Sequence, residues 1–125
     1  MVVYFYPRDD TPGCTIEAKE FTDSKNDFEE NGATIMGVSP DNEAKHCKFI
    51  DKHGLKIDLL ADGEKSMLSD YGVWQEKSMY GKTYMGVVRT TYLIDPDGNI
   101  AGAWTKVKAN GHADAVLKRL IDIRG

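Results

Sequence analysis

Runs of apolar residues alternate with longer amphipathic stretches along the first third of the chain. Residues 1–6 and 33–38 are continuous apolar runs, typical of strands that are buried on both faces of a sheet. From Cys14 to about Glu30, apolar side chains recur at a spacing that predicts a helix, and Asn31-Gly32 is its stop signal. A strand, a helix and a strand in this order predict a βαβ unit with a right-handed crossover.

The last third of the chain predicts a hairpin followed by a helix. Residues 86–94 and 100–105 are the predicted hairpin strands, because residues 95–99 between them are rich in turn formers. Residues 112–123 form a final amphipathic helix. The apolar residues of this helix that are predicted to face the sheet are Ala115, Leu117, Leu120 and Ile121.

Weaker patterns fill the middle of the chain and complete the prediction of the fold. In order, they predict a helix over residues 42–53, a short strand over 55–61, a short helix over 65–71 and a polar loop with aromatic residues over 72–85. A βαβ half followed by a ββα half predicts an α/β, thioredoxin-like fold with a central mixed sheet flanked by helices. We expect residues 1–125 to form a single domain of this kind.

Composition narrows the classes of function. The net charge is −4, and Lys and Arg are spread among Asp and Glu, so we expect no nucleic-acid partner. No apolar run approaches the roughly 20 residues that span a bilayer, and the start of the chain lacks a basic leader with a cleavage site. We therefore expect a cytoplasmic protein with no membrane partner.

The cysteines and histidines do not form a metal-binding pattern. Cys14 and Cys47 are too few for a secreted disulfide scaffold and lack the spacing of metal ligands. His46, His53 and His112 match no metal motif either, so each is expected to be a core or surface residue. Two isolated thiols are suited to reactive chemistry in a reducing compartment.

The segment Pro7 to Cys14 joins the first predicted strand to the first predicted helix. This places Cys14 in the first helical turn, where free N–H groups and the helix dipole favour a thiolate. Thioredoxin-like folds carry Cys-x-x-Cys at this point, whereas Thr11-Pro12-Gly13-Cys14 has a hydroxyl in place of the first thiol. Free cysteines are more often buried hydrophobic residues, but a position after Pro12-Gly13 argues against burial. The arrangement predicts a single thiolate that attacks a small polar oxidant.

Pro7, Thr11 and Cys14 fill the pattern Pro-x-x-x-Thr-x-x-Cys, which resembles the active-site signature of the peroxiredoxins. Residues 4–15 are similar to the subgroup called PrxQ or bacterioferritin comigratory protein. The similarity covers nearly the whole chain and continues through residues 37–41, 59–62, 71–74, 80–84 and 88–96. Members of this family have about one more pair of strands ahead of residue 1, so we expect a shorter N-terminus to affect edge protection more than chemistry.

The resemblance implies a thiol-dependent peroxidase without a cofactor or metal. Cys14 would attack hydrogen peroxide or an organic hydroperoxide and become a sulfenic acid, which a thioredoxin-like or small-thiol reductant would recycle. The Thr11 hydroxyl would contact the peroxide, although threonine also caps helices and turns. Pro7 would shield the thiolate, although a proline can simply end a strand. We expect a monomer or a weak dimer.

Arg89 and Glu17 are the charged candidates for the same site. Arg89 lies in the apolar segment 87–93, where a charge that faced water would also be acceptable on an alternating strand. In thioredoxin-like folds the residue before the Thr90 position abuts the active-site helix, so the resemblance places Arg89 beside the thiolate and the departing oxygen. Glu17, one turn after Cys14, either interacts with the helix dipole or orients Arg89.

Cys47 is the candidate resolving cysteine. PrxQ-like proteins often have this residue five positions after the first cysteine, where this chain has Lys19; another subset has it near the position of Ile50. Successive helical positions rotate by about 100°, so Cys47 lies about 60° from Ile50, partly off the face that carries His46 and Phe49. A disulfide needs Cα atoms within about 7 Å, so the Cys14 turn would have to unwind. A resolving and a structural thiol remain open alternatives.

Other functions fit the sequence less well. A thioredoxin-type disulfide oxidoreductase would need a second cysteine in Thr11-Pro12-Gly13-Cys14. A catalytically inactive interaction module is conceivable because the N-terminal strands of the family are missing. A nucleotide-binding protein would need Gly-x-Gly-x-x-Gly or a phosphate-binding loop that ends in Lys-Ser/Thr, and the loop has neither.

Overall fold

Seven strands and four helices form the part of the chain that the computed structural model describes, residues 1–124. In chain order they are β1 (Val2–Phe5), α1 (Pro12–Glu30), β2 (Ile35–Ser39), α2 (Glu43–His53), β3 (Asp58–Ala61), α3 (Ser66–Asp70), β4 (Trp74–Met79), β5 (Lys82–Val87), β6 (Thr90–Ile94), β7 (Ile100–Trp104) and α4 (His112–Arg124).

β1 is the central strand of a five-stranded mixed sheet with the order β3-β2-β1-β6-β7. It pairs in parallel with β2 and antiparallel with β6, so the predicted βαβ unit and the β6–β7 hairpin share one sheet. Alternate side chains of β1 enter different cores. Tyr4 packs on the face with α1 and α4, whereas Phe5 packs with α3 on the other face. Burial on both faces explains why this strand has no charged residue.

Helix α1 packs on the sheet through its apolar face. Ala18, Phe21 and Phe28 of α1 are fully buried, as the spacing predicts. The helix ends at Asn31, and Gly32 follows with a φ of 79°, which an L side chain adopts at a cost. Within residues 1–124, no helix combines the length and the apolar character needed to cross a membrane.

The prediction for the last helix was partly wrong about its buried face. Ala113, Val116 and Leu120 are buried, Leu117 is partly buried, and Ala115 and Ile121 are exposed. His112 at the start of α4 sets which face is buried. Its side chain is buried and hydrogen-bonds to Thr91 of β6. Residues one, four and eight positions later then point to the same side.

The prediction of a loop over residues 72–85 was wrong, because most of that segment is a hairpin. β4 and β5 pair antiparallel from Trp74 with Val87 to Met79 with Lys82. Tyr80 and Gly81 have positive φ angles of 52° and 76°, as a two-residue hairpin turn requires. Most of β5 is exposed, so the strand lacks the alternation of apolar residues that marks a half-buried strand. The predicted strand over 86–94 is therefore two strands, and Arg89 lies between them.

Candidate active site

The loop after β1 carries residues that favour the start of α1. Thr11 is the N-cap residue of α1 with extended backbone angles, and Pro12 occupies the first helical position, where a missing N–H is harmless. Cys14 is consequently in the first turn, where the N–H groups of Gly13 and Cys14 have no acceptor within the helix. Strand, loop and helix start thus give the geometry that the sequence predicts.

The expectation that Cys14 would be exposed was wrong. Its residue is only 1% exposed, and the Arg89 side chain covers it, with Nη2 at 3.3 Å from Sγ. Gly13 permits this approach, because a Cβ on residue 13 would lie 3.1 Å from Nη2 of Arg89. Gly13 is therefore a site residue that the sequence analysis treated only as part of a turn.

Glu17 holds the other side of the same guanidinium. Nη1 of Arg89 donates to Oε1 of Glu17 at 2.8 Å, and the carboxylate side chain is fully buried. Burial raises the pKa of Glu17 to about 7, although Arg89 acts to lower it. The second oxygen, Oε2, has no hydrogen-bond partner among residues 1–124. Burial lowers the pKa of Arg89, but the neighbouring Cys14 and Glu17 outweigh this and raise it, so the guanidinium stays charged.

Thr11 and Pro7 lie in the loop between β1 and α1, where Thr11 is the N-cap residue of the helix. The Thr11 hydroxyl donates to the carbonyl of Arg8 at 2.9 Å and makes no bond to the helix N–H groups, so its side chain does not cap α1. Thr11 and Pro7 are both partly buried. The structure thus places Thr11 in a loop conformation that leaves the acceptor side of its hydroxyl without a partner among the described residues.

Tyr4 of β1 is buried in the same core cluster as Cys14. Its ring stacks on Phe21 with centroids 4.8 Å apart, and its buried hydroxyl has no partner within the described part of the chain. Burial raises the pKa of Tyr4, and the charges of Glu17 and Cys14 raise it further, so the phenol stays neutral. A Cβ on Gly37 of β2 would lie 2.8 Å from the Tyr4 hydroxyl, so this glycine provides the space for it. No local sequence pattern points to either residue.

Comparison with known proteins identifies the family. Residues 1–103 match the family model described as the AhpC/TSA family. The Peroxiredoxin Bcp of Bacillus subtilis is 47% identical over 123 residues, which cover 98% of this chain and 78% of that protein. The chain belongs to the peroxiredoxin family. A solved structure of the Xanthomonas campestris Bacterioferritin Comigratory Protein, from work on the alkyl peroxide reduction activity of that protein, agrees with a TM-score of 0.94, 43% identity and coverage of 99% and 79% of the two chains. The predicted family, PrxQ/Bcp subgroup and thioredoxin-like fold class are confirmed.

Cys47 of this peroxiredoxin is exposed on α2, whereas Cys14 is buried, and both are free thiols. His46 and Phe49, its neighbours on the helix, face the core, so Cys47 lies off the buried face as predicted. The Xanthomonas campestris Peroxiredoxin Q has been solved as cysteine-to-serine variants at two positions that are 36 residues apart. Counted from Cys14, the same spacing falls on Ile50. Both thiols are free, so no disulfide joins Cys47 to Cys14 in the structure.

A buried polar cluster that the sequence analysis missed joins the loop of this peroxiredoxin to α2. Asp9 accepts from the Tyr6 hydroxyl at 2.6 Å through Oδ1 and contacts Nδ1 of His46 at 2.6 Å through Oδ2. The backbone N–H of Asp9 donates to Oδ2 of Asp41 at 2.6 Å. His46 was expected to be a core or surface residue, and it is a buried one. Asp9 and His46 are 37 positions apart, so no local motif reveals the pair.

Proposed function

We propose that this peroxiredoxin reduces hydrogen peroxide and organic hydroperoxides with Cys14 as the nucleophile. The observation that carries this proposal is the 3.3 Å contact between Arg89 Nη2 and Cys14 Sγ at the first turn of α1. A guanidinium and a helix N-terminus both stabilise a thiolate relative to a thiol. The family assignment supports a thiol-dependent peroxidase independently of this geometry.

The reaction forms one bond and breaks another. The Cys14 thiolate attacks one peroxide oxygen, the O–O bond breaks, and the second oxygen leaves with its electron pair and takes up a proton. Cys14 is oxidised to a sulfenic acid, and the peroxide is reduced to water or an alcohol. Negative charge thus moves from sulfur to the leaving oxygen, and one arginine beside both atoms can stabilise it throughout.

The other candidate residues have supporting roles in this proposal. The Thr11 hydroxyl donates to Arg8 and can therefore accept a hydrogen bond from the O–H of the peroxide. The N–H groups of Gly13 and Cys14 can donate to the other oxygen. Glu17 orients Arg89 through the bond at 2.8 Å, and Pro7 shields the thiolate from bulk water.

Recycling of the sulfenic acid needs a second thiol. We propose that either Cys47 forms an intramolecular disulfide, which a thioredoxin-like donor reduces, or a small external thiol acts directly. Two free thiols are consistent with a reducing cytoplasmic compartment, and we propose that residues 1–125 act there as a single domain, monomeric or weakly dimeric.

Mass spectrometry after one equivalent of peroxide tests the proposal. Formation of a sulfenic acid that dimedone traps at Cys14 is expected, or a loss of two hydrogens if Cys47 resolves it. The matched control is Cys14→Ser, which offers no comparable nucleophile and should consume no peroxide while it remains folded. Turnover above a trace in that variant would reject Cys14 as the nucleophile.

A further inference from the structure

The catalytic loop, residues 7–11, is fastened to α2 by the Asp9 cluster. The Asp9 side chain uses one oxygen for Tyr6 and the other for His46, at 2.6 Å each. Its backbone N–H binds Asp41, which also contacts the Ser39 hydroxyl at 3.1 Å. Every one of these contacts is buried, so breaking one leaves a polar group without water or a partner.

A proton on His46 strengthens its contact with the Asp9 carboxylate. Burial lowers the pKa of His46, but the hydrogen bond and the charge of Asp9 outweigh burial, and the net pKa is raised; the Leu60 backbone and Asp41 contribute in the same direction. Phe49 and the neutral Tyr6 are the ring systems near this pair, and burial keeps the pKa of Tyr6 raised. The stabilisation is therefore complete below the ordinary histidine pKa and is lost as the pH rises through the raised one.

A second, exposed contact joins the same two segments. Asp10 pairs with His53 Nε2 and Lys52 Nζ, each at 2.8 Å, two helical turns beyond His46. Asp10 is substantially exposed, so water weakens both pairs. A cleft of about 340 Å³ lies beside both contacts, lined by Arg8, Asp9 and Asp10 of the loop and by Lys45, Lys48 and Lys52 of α2. The buried contact is therefore the one of the two that solvent and salt screen least.

The position of Cys47 connects this contact to the proposed reaction. Cys47 follows His46 directly in α2 and is exposed, whereas Cys14 is buried beside Arg89. A disulfide between them requires that Cys14 be uncovered, and we expect α2 or the first turn of α1 to open for it. We propose that Asp9 and His46 are positioning residues: their buried contact holds the catalytic loop and α2 closed for attack on peroxide, and its release sets how readily Cys47 reaches Cys14. The second half of this proposal rests on the proposed function.

The step that the release permits is balanced without a further reagent. The Cys47 sulfur attacks the sulfur of the Cys14 sulfenic acid, an S–S bond forms, and the hydroxyl leaves with a proton as water. The peroxide is the only oxidant involved. A tight contact therefore keeps the sulfenic acid longer and exposes it to a second peroxide, whereas a loose contact favours the disulfide.

Hydrogen exchange of the reduced, peroxide-free protein tests the contact itself. His46→Gln removes the charge, and His53→Gln is the matched control on the same helix. At pH 6 we expect His46→Gln to lower the protection of the amides of residues 43–53 by about 10- to 100-fold, with little change in β1 and β6. The difference from wild type should shrink as the pH rises through the raised His46 pKa, and His53→Gln should change protection by less than about threefold.

Two results would overturn the positioning role. One is an equal loss of protection in α2 and the central strands, which would mean a general structural effect; the other is equal behaviour of His46→Gln and His53→Gln. If His46→Gln does not fold, Tyr6→Phe removes one bond to Asp9 and should produce the same local loss at smaller size. A Tyr6→Phe variant with unchanged α2 protection would contradict the proposal as well.

Disulfide formation after one equivalent of peroxide tests the link to Cys47. We expect His46→Gln to lose two hydrogens at least about fivefold faster than wild type and to give less dimedone adduct. An unchanged or slower rate would refute the link, and so would sulfenic acid without a disulfide in every variant. If no variant, including wild type, reacts with peroxide, the proposed function fails while the exchange result on the contact still stands.

Discussion

Replacing Arg89 with methionine removes the guanidinium from Cys14 and keeps much of the aliphatic volume. The Nη2 to Sγ distance of 3.3 Å gives a Coulomb energy between about 1.3 kcal/mol in water and about 5 kcal/mol at an effective dielectric constant of 20. The Arg89 side chain is 17% exposed, so a value between these limits applies. We expect peroxide reduction to slow by about 10²- to 10³-fold, which corresponds to about 3 to 4 kcal/mol and to the usual loss for one charge-stabilising donor.

Glu17 limits how far Arg89→Met can raise the free energy of the Cys14 thiolate. Without Arg89, both Glu17 oxygens would be buried without the guanidinium, and a carboxyl whose pKa is already about 7 would take up a proton. The site therefore loses a cation without gaining a full repulsive anion. This is why we expect the loss to stay within three orders of magnitude.

Two measurements on the Arg89→Met protein check this reasoning. Stopped-flow kinetics gives the second-order rate with hydrogen peroxide. The pH dependence of Cys14 alkylation by iodoacetamide, in a Cys47→Ser background, should move to higher pH. Arg119→Met is the matched control, because Arg119 lies on α4 and bonds only the Ala101 carbonyl among its described contacts. An unchanged rate together with an unchanged alkylation profile would show that Arg89 does not act on the thiolate.

Three further changes should give distinct results. Cys47→Ser should turn thioredoxin-dependent turnover into accumulation of sulfenic and sulfinic acid, measured by mass; full thioredoxin-dependent activity would make Cys47 structural. Gly13→Ala should slow peroxide reduction by about tenfold or more, because the added Cβ displaces Arg89. Thermal unfolding should show no loss of stability, since alanine favours a helix. An unaltered rate would contradict the close approach of Arg89 to residue 13. Burial lowers the pKa of His112 to about 4, so its imidazole is neutral in the folded protein. Urea unfolding should therefore show stability falling by about 2 to 3 kcal/mol from pH 6.5 to 4. His112→Gln should flatten that dependence, and parallel curves for the two proteins would contradict the prediction.

The sequence predicts those parts of the site that follow from the fold. The apolar β1, the Pro-Gly loop and the spacing of α1 put Cys14 in a first helical turn, whereas the resemblance to thioredoxin-like folds placed Arg89 beside it. Burial of Cys14 could not be predicted in the same way, because the cover is a side chain 75 positions away. The strands β4 and β5 also escaped prediction, since exposed strands carry no apolar alternation.

The Asp9–His46 pair illustrates a further limit of local patterns. Two polar residues on a loop and a helix look like surface residues until the fold buries them together. The stop of a helix or the turn of a hairpin has a signal within a few residues, whereas a polar contact across the fold has none. Such pairs are accessible from a sequence only once the topology is known.

Because of the buried carboxyl of Glu17, this peroxiredoxin exists in two protonation states near neutral pH. Burial raises the pKa of Glu17 to about 7, so the carboxyl gains or loses its proton within the neutral pH range. In the protonated species the Arg89 guanidinium has the Cys14 thiolate as its anion in the cluster, and in the ionised species two anions share one cation. A single proton on Glu17 thus decides whether the Arg89 guanidinium is shared between two acidic groups or serves Cys14 alone, and the surrounding pH sets the ratio of the two forms.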